Sequence, residues 1–235
     1  MRKMETEQLE KIREIALLYL HLPIEKTRSE LVVSHPFTAS NIVASEDMKF
    51  LDLYVPSERK MWEEQMEKLI KKSSLEQIYM LLDKRYFFSF IYHTKEYLDA
   101  RMMAKALASR WQQLEYISNN VVVNTQELLR WFRFADKKEL MDEEEYQKFL
   151  NLPEEVTIYR GVSGYNRKYK KAVSWTLNKE QAEWFAERWG NDEQEVWKVT
   201  VPKKCVLCYF TYEDEVIVDL TKIPCSQYEI CKKQK

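Results

Sequence analysis

The sequence predicts an α+β protein, with a helical lobe over residues 1–150 packed on a β-rich core over 151–235 as part of the same domain. Three observations carry this reading. Apolar residues recur at helical spacing through most of the first 150 positions. Short β-branched runs replace them after Pro153. All three glycines, Gly161, Gly164 and Gly190, fall inside the later region. Helices first and strands afterwards argue against an alternating parallel sheet.

The helices follow in order. Residues 5–20 place Leu9, Ile12, Ala16 and Tyr19 at helical spacing. A polar connection is expected around Pro23 and Pro36. Residues 58–72 put Met61, Trp62, Met66, Leu69 and Ile70 on one stripe, and the more apolar 73–92 suits the centre of the lobe. A long helix is predicted over 94–118, with Thr94 as N-cap and Leu98, Met102, Ala106 and Leu107 inward. Asn124 or Thr125 caps a further helix through Trp131, and one more is expected over 142–150.

Strands are predicted over 156–162, 171–177, 195–202, 205–210, 215–220 and 227–231. Between the first pair and the rest lies a helix over 178–190. Asn178 is its N-cap, Gln181 the answering capping-box residue and Gly190 the C-terminal stop. Its inward positions are Ala182, Phe185, Ala186 and Trp189.

Composition narrows the function classes. The chain has 235 residues, 45% apolar and 32% charged, with net charge −1, so nothing global demands a nucleic-acid or anionic-membrane partner. The short apolar run near the N-terminus follows acidic residues and is unlike a secretory signal. No stretch approaches a membrane span, and the expected location is cytoplasmic. Cys205, Cys208, Cys225 and Cys231 cluster near the C-terminus. A zinc site is the lesser reading of that spacing, because Cys205 and Cys208 sit in an alternating strand-like run and residues three apart on a strand face opposite ways. Reduced thiols and no metal are expected. His21, His35 and His93 are scattered, and the C-terminal half holds none, which leaves a Ser-His-Asp or Cys-His hydrolase without support.

Three fragments carry potential chemistry: Tyr159-Arg160-Gly161, Ser174-Trp175-Thr176 and Glu213-Asp214-Glu215. An Arg at a strand end offers a planar fork of donors suited to a diphosphate. Gly161 leaves its backbone amide and carbonyl open to a carboxamide. Ser174 and Thr176, two apart on a strand, present their hydroxyls on one face, and the same alternation would put Glu213 and Glu215 on one face. Paired carboxylates suit cleavage of a glycosidic bond, whose oxocarbenium-like transition state an anion stabilises. The basic run 166–171 reads as a solvated loop ahead of a contact for phosphates or nucleic acid.

In this order and spacing the fragments resemble the mono-ADP-ribosyltransferases of the Arg–Ser–Glu class, toxin, effector and phage-defence enzymes among them. The likeness covers roughly residues 155–220. It implies a two-sheet β core, NAD as co-substrate, and transfer of ADP-ribose to a macromolecular acceptor, protein or nucleic acid. It also implies roles. Arg160 would hold the NAD diphosphate, next to Tyr159, and Gly161 would meet the nicotinamide amide. Ser174 would support the catalytic carboxylate and the nicotinamide ribose, with Thr176 steadying the strand. Glu215 would act on the ribose and stabilise the cation formed as nicotinamide leaves, and Glu213 would position or deprotonate the acceptor. Glutamate at 213, where glutamine is typical of Asn- and guanine-directed members, leans toward an arginine or hydroxyl acceptor. Trp175 stands where a small residue is common, and the segment before Glu213 is short and lacks glycine, so the target is the part this likeness carries least. Water as acceptor would make the chain an NAD glycohydrolase, and loss of chemistry would leave a binding module. An inhibitory partner or antitoxin would fit a toxin.

Overall fold

The computed structural model describes residues 2–114, 122–164, 166–169, 171–188 and 194–234. The chain divides into two compact units, Met1–Glu115 and Tyr116–Lys235. The division falls at 115/116 and not at 150, so the helices of 125–150 belong with the strands.

In the first unit, α1 (Arg2–Leu20) buries Ile12, Ala16 and Leu20. The expected polar connection is instead a set of short strands. β1 (Glu25–Lys26), β2 (Val32–His35) and β3 (Thr38–Ser40) form an antiparallel sheet, and β4 (Ile42–Ala44) pairs with β5 (Phe50–Asp52). Strands of two to four residues are too short to show an alternating pattern. His35 is fully buried, with Nδ1 accepting from Phe37 N at 3.2 Å and Nε2 3.1 Å from Leu20 O.

α2 (Pro56–Lys72) begins on proline, which costs no helical hydrogen bond there. Its buried stripe is narrower than expected: Trp62 and Ile70 are buried, while Met61 and Leu69 are exposed. The apolar run after it splits into α3 (Leu75–Leu81), opened by a Ser74–Gln77 capping box, and α4 (Phe87–Thr94). The predicted helix over 94–118 is corrected at both ends. The Thr94 hydroxyl bonds back to Phe90 O at 2.7 Å and meets Tyr79 OH at 2.8 Å, so it closes α4. Asp99 caps α5 (Ala100–Arg110) through Met102 N at 2.8 Å. Leu98, Met102, Ala106 and Leu107 are buried as expected, and residues 115–118 lie outside those described.

The second unit opens with α6 (Thr125–Phe134), capped by Asn124, then α7 (Lys137–Leu140) and α8 (Glu143–Leu150), which carries an Asp142–Glu145 capping box. Its strands are β6 (Glu155–Val162), β7 (Ser174–Thr176), β8 (Gln194–Pro202), β9 (Val206–Phe210), β10 (Glu215–Val218) and β11 (Glu229–Gln234). Where two sheets are expected, the six strands form one hydrogen-bonded sheet in the order β11-β8-β6-β7-β10-β9, antiparallel throughout. It consists of two three-stranded halves, which meet only where Tyr159 pairs with Thr176. β7 is shorter than predicted, because Ala172 N turns back to Tyr169 O and Lys171 Nζ donates to Thr221 O.

α9 (Lys179–Glu187) covers β6. Asn178 Oδ1 caps it by accepting from the Glu180 and Gln181 amides at 2.8 and 3.2 Å, so Gln181 enters through its backbone. Ala182 and Ala186 face inward, packed with Val196 and Tyr159. Trp189 and the proposed Gly190 stop lie outside the described residues.

Candidate active site

The central strands bring the three motif fragments together. In the β7–β10 pairing Glu215 lies opposite Thr176 and Ile217 opposite Ser174, which puts Ser174, Thr176 and Glu215 on one face. Ser174 Oγ donates to Glu215 Oε1 at 2.5 Å. Beyond the Tyr159–Thr176 pair no rung joins β6 to β7, and a side chain takes one of the open backbone positions: Arg160 Nη1 donates to Ser174 O at 2.5 Å. The guanidinium also feels the Glu215 charge. Burial lowers its pKa to about 10, and Glu215 opposes that shift. Arg160 Nε is buried without a hydrogen-bond partner among the described residues.

Gly161 has a different requirement from the one its sequence context suggests. An added Cβ would lie 2.3 Å from Ala182 O, 2.5 Å from Ala186 N and 2.7 Å from Phe185 Cβ. The missing side chain therefore admits α9 against β6. Its carbonyl accepts from Asn166 Nδ2 at 3.1 Å, while Asn166 Oδ1 accepts from Ser163 N at 2.9 Å. Asn166 thus fixes the end of β6, a role that a lone Asn in a basic loop does not announce. Of that loop's described cations, Arg167 pairs with buried Glu195 at 3.3 Å, while Lys168 and Lys171 are exposed and Lys171 Nζ donates to Thr221 O.

The acidic motif needs a correction. Glu215 begins β10, but Glu213 sits on a 3₁₀ turn over Tyr212–Asp214, so strand alternation does not relate the two. Glu213 and Asp214 have φ of 67° and 48°, in the left-handed region. Thr176 Oγ1 donates to Glu213 O at 2.8 Å and accepts from Asn178 N at 3.0 Å, which ties the turn to the start of α9. Burial raises the Glu213 pKa from its ordinary value, with Arg188 opposing. Asp214 goes the other way, its carboxylate held low by Lys148.

Sequence reasoning missed the contribution of α8. Glu145 Oε1 accepts from Thr211 N at 2.8 Å, and Lys148 Nζ donates to Asp214 Oδ1 at 2.8 Å, so a helix assigned to the lobe holds the acidic turn. The signal available was the Glu145–Lys148 spacing, which puts both on one helix face. Cys208 is fully buried in β9, where burial raises its thiol pKa, and Cys205 lies on the short turn before that strand. Among the described residues no group of three or more His, Cys, Asp or Glu is placed to hold a metal ion, and no helix is long and apolar enough to cross a membrane. No protein-family model, curated protein or solved structure matches this chain.

Proposed function

We propose that this chain is a mono-ADP-ribosyltransferase that uses NAD as co-substrate. The supporting observation is the linkage of Arg160, Ser174 and Glu215, drawn from three separate strands into one hydrogen-bonded group. In this reading the bond between nicotinamide and the ribose C1′ breaks, and nicotinamide leaves with the electron pair. The acceptor supplies the pair for the new bond to C1′ and loses a proton. Arg160 binds the diphosphate through its guanidinium fork. Glu215, oriented by Ser174, places negative charge beside the cationic ribose. Glu213 takes the acceptor proton, and its burial, which favours the protonated form, strengthens it as a base. The acceptor is macromolecular, with an arginine or hydroxyl favoured by the carboxylate at 213, and the biological setting is that of a toxin or effector.

The test is incubation of the full chain with adenylate-labelled NAD and whole-cell lysate, followed by separation of protein from nucleic acid. Label on a macromolecule together with released nicotinamide is the expected result. Free nicotinamide and free ADP-ribose alone identify an NAD glycohydrolase. No consumption of NAD leaves a binding module and defeats the proposal.

A further inference from the structure

The turn that carries Glu213 is held from outside the motif, and its tethers do not use the Glu213 carboxyl. Two of them come from one face of α8. Glu145, itself buried, takes the Thr211 amide on Oε1 while Oε2 accepts from Asp142 N at 3.0 Å. Three residues along, Lys148 Nζ donates to Asp214 Oδ1 at 2.8 Å and to Tyr209 OH at 2.6 Å, and lies 4.5 Å from the centre of the Tyr209 ring. Tyr209 OH completes the triangle by donating to Asp214 Oδ1 at 2.7 Å. Between Thr211 and Asp214 the backbone enters the left-handed region at two successive non-glycine residues. Such a conformation persists only where surrounding contacts over-determine it. Glu215 is fixed separately, paired with Thr176 on one side and Phe210 on the other.

We propose that α8 is the positioning element for the acceptor-directed carboxylate: Lys148, acting through Asp214, sets Glu213 toward the acceptor and takes no part in the cleavage at Glu215. This inference rests on the ADP-ribosyltransferase reading. It divides the acidic motif into two mechanical parts, one built into the sheet and one clamped by a helix.

The test compares the wild type with Lys148→Met and Lys148→Arg as full chains. Two rates are read: nicotinamide release without acceptor, and transfer of labelled ADP-ribose to lysate macromolecules. Lys148→Met keeps nicotinamide release within about twofold, since ground-state and cleavage contacts are untouched. Transfer falls about tenfold or more, the scale of loss that a misplaced catalytic group brings. Lys148→Arg, which preserves the charge and a donor for Asp214, restores most of the transfer. Retained nicotinamide release certifies that Lys148→Met is folded. An equal fall in both rates, no fall in either, or failure of the arginine to rescue overturns the inference while leaving the enzyme reading in place. A wild type that hydrolyses NAD yet labels no acceptor also overturns it. A wild type that releases no nicotinamide sinks the proposed function, and this inference with it.

Discussion

At the scale of single residues, Arg160 and Glu215 make the sharpest expectations. Arg160→Ala removes charge-assisted hydrogen bonds worth about 1.5–3 kcal/mol each, so calorimetry should find NAD binding weakened by about tenfold or more. Unchanged affinity would return Arg160 to an internal structural role. Glu215→Gln keeps the shape and the approach to Ser174 but loses the charge opposing the cation, and both nicotinamide release and transfer should fall about a hundredfold or more. Glu213→Gln should reduce transfer further than it reduces NAD hydrolysis. The reverse ordering of the two variants would show that their roles are exchanged. The meeting of Arg160, Ser174 and Glu215 was legible because the order of the predicted strands and their alternation narrow what can meet. The geometry of Glu213 was not, since nothing in Tyr212-Glu213-Asp214 signals two left-handed residues without glycine.

Among the elements, α9 and β6 define each other through Gly161. Gly161→Ala would push a methyl group into the backbone of Ala182 and Ala186, neither of which can swing aside. Overpacking of this kind costs about 1–3 kcal/mol, and a matching fall in the denaturation midpoint is expected even without NAD. A glycine reserved for a ligand alone would tolerate alanine in the apo-protein. The runs of β6 and β8 were readable because each has enough residues to show its period, and the Asn178 cap of α9 was readable from its residue type. Other elements lacked that length. The strands between Glu25 and Asp52 are too brief for a pattern, and Thr94 resembles an N-cap although its hydroxyl closes the preceding helix. β7 lost its predicted N-terminal end to a local turn from Tyr169 to Ala172 and to a lysine tether on Thr221, far along the chain.

For the molecule as a whole, acid is the expected weakness, and His35 is a defined contributor. Burial lowers its pKa from 6.5, and the ring is committed as neutral, with Nδ1 accepting from Phe37 N. The unfolded chain therefore binds a proton that the folded chain refuses. Stability from this source is complete above the unfolded pKa of about 6.5 and is lost as pH falls from there toward the lowered folded value. Urea titrations between pH 7.5 and 5 should show the midpoint dropping, and His35→Gln should flatten that dependence. An equally steep profile in the variant would place the acid sensitivity elsewhere. The division of the chain at 115/116 was hidden from the sequence, because helical periodicity continues on both sides of it. A last consequence follows from the meeting of the two sheet halves at Tyr159 and Thr176. Most sheets resist being pried apart because many rungs must break together, whereas this one has a perforation line down its middle. A ligand seated there would act as a rivet, and the bound protein should resist mechanical unzipping of β6 from β7 far better than the empty one.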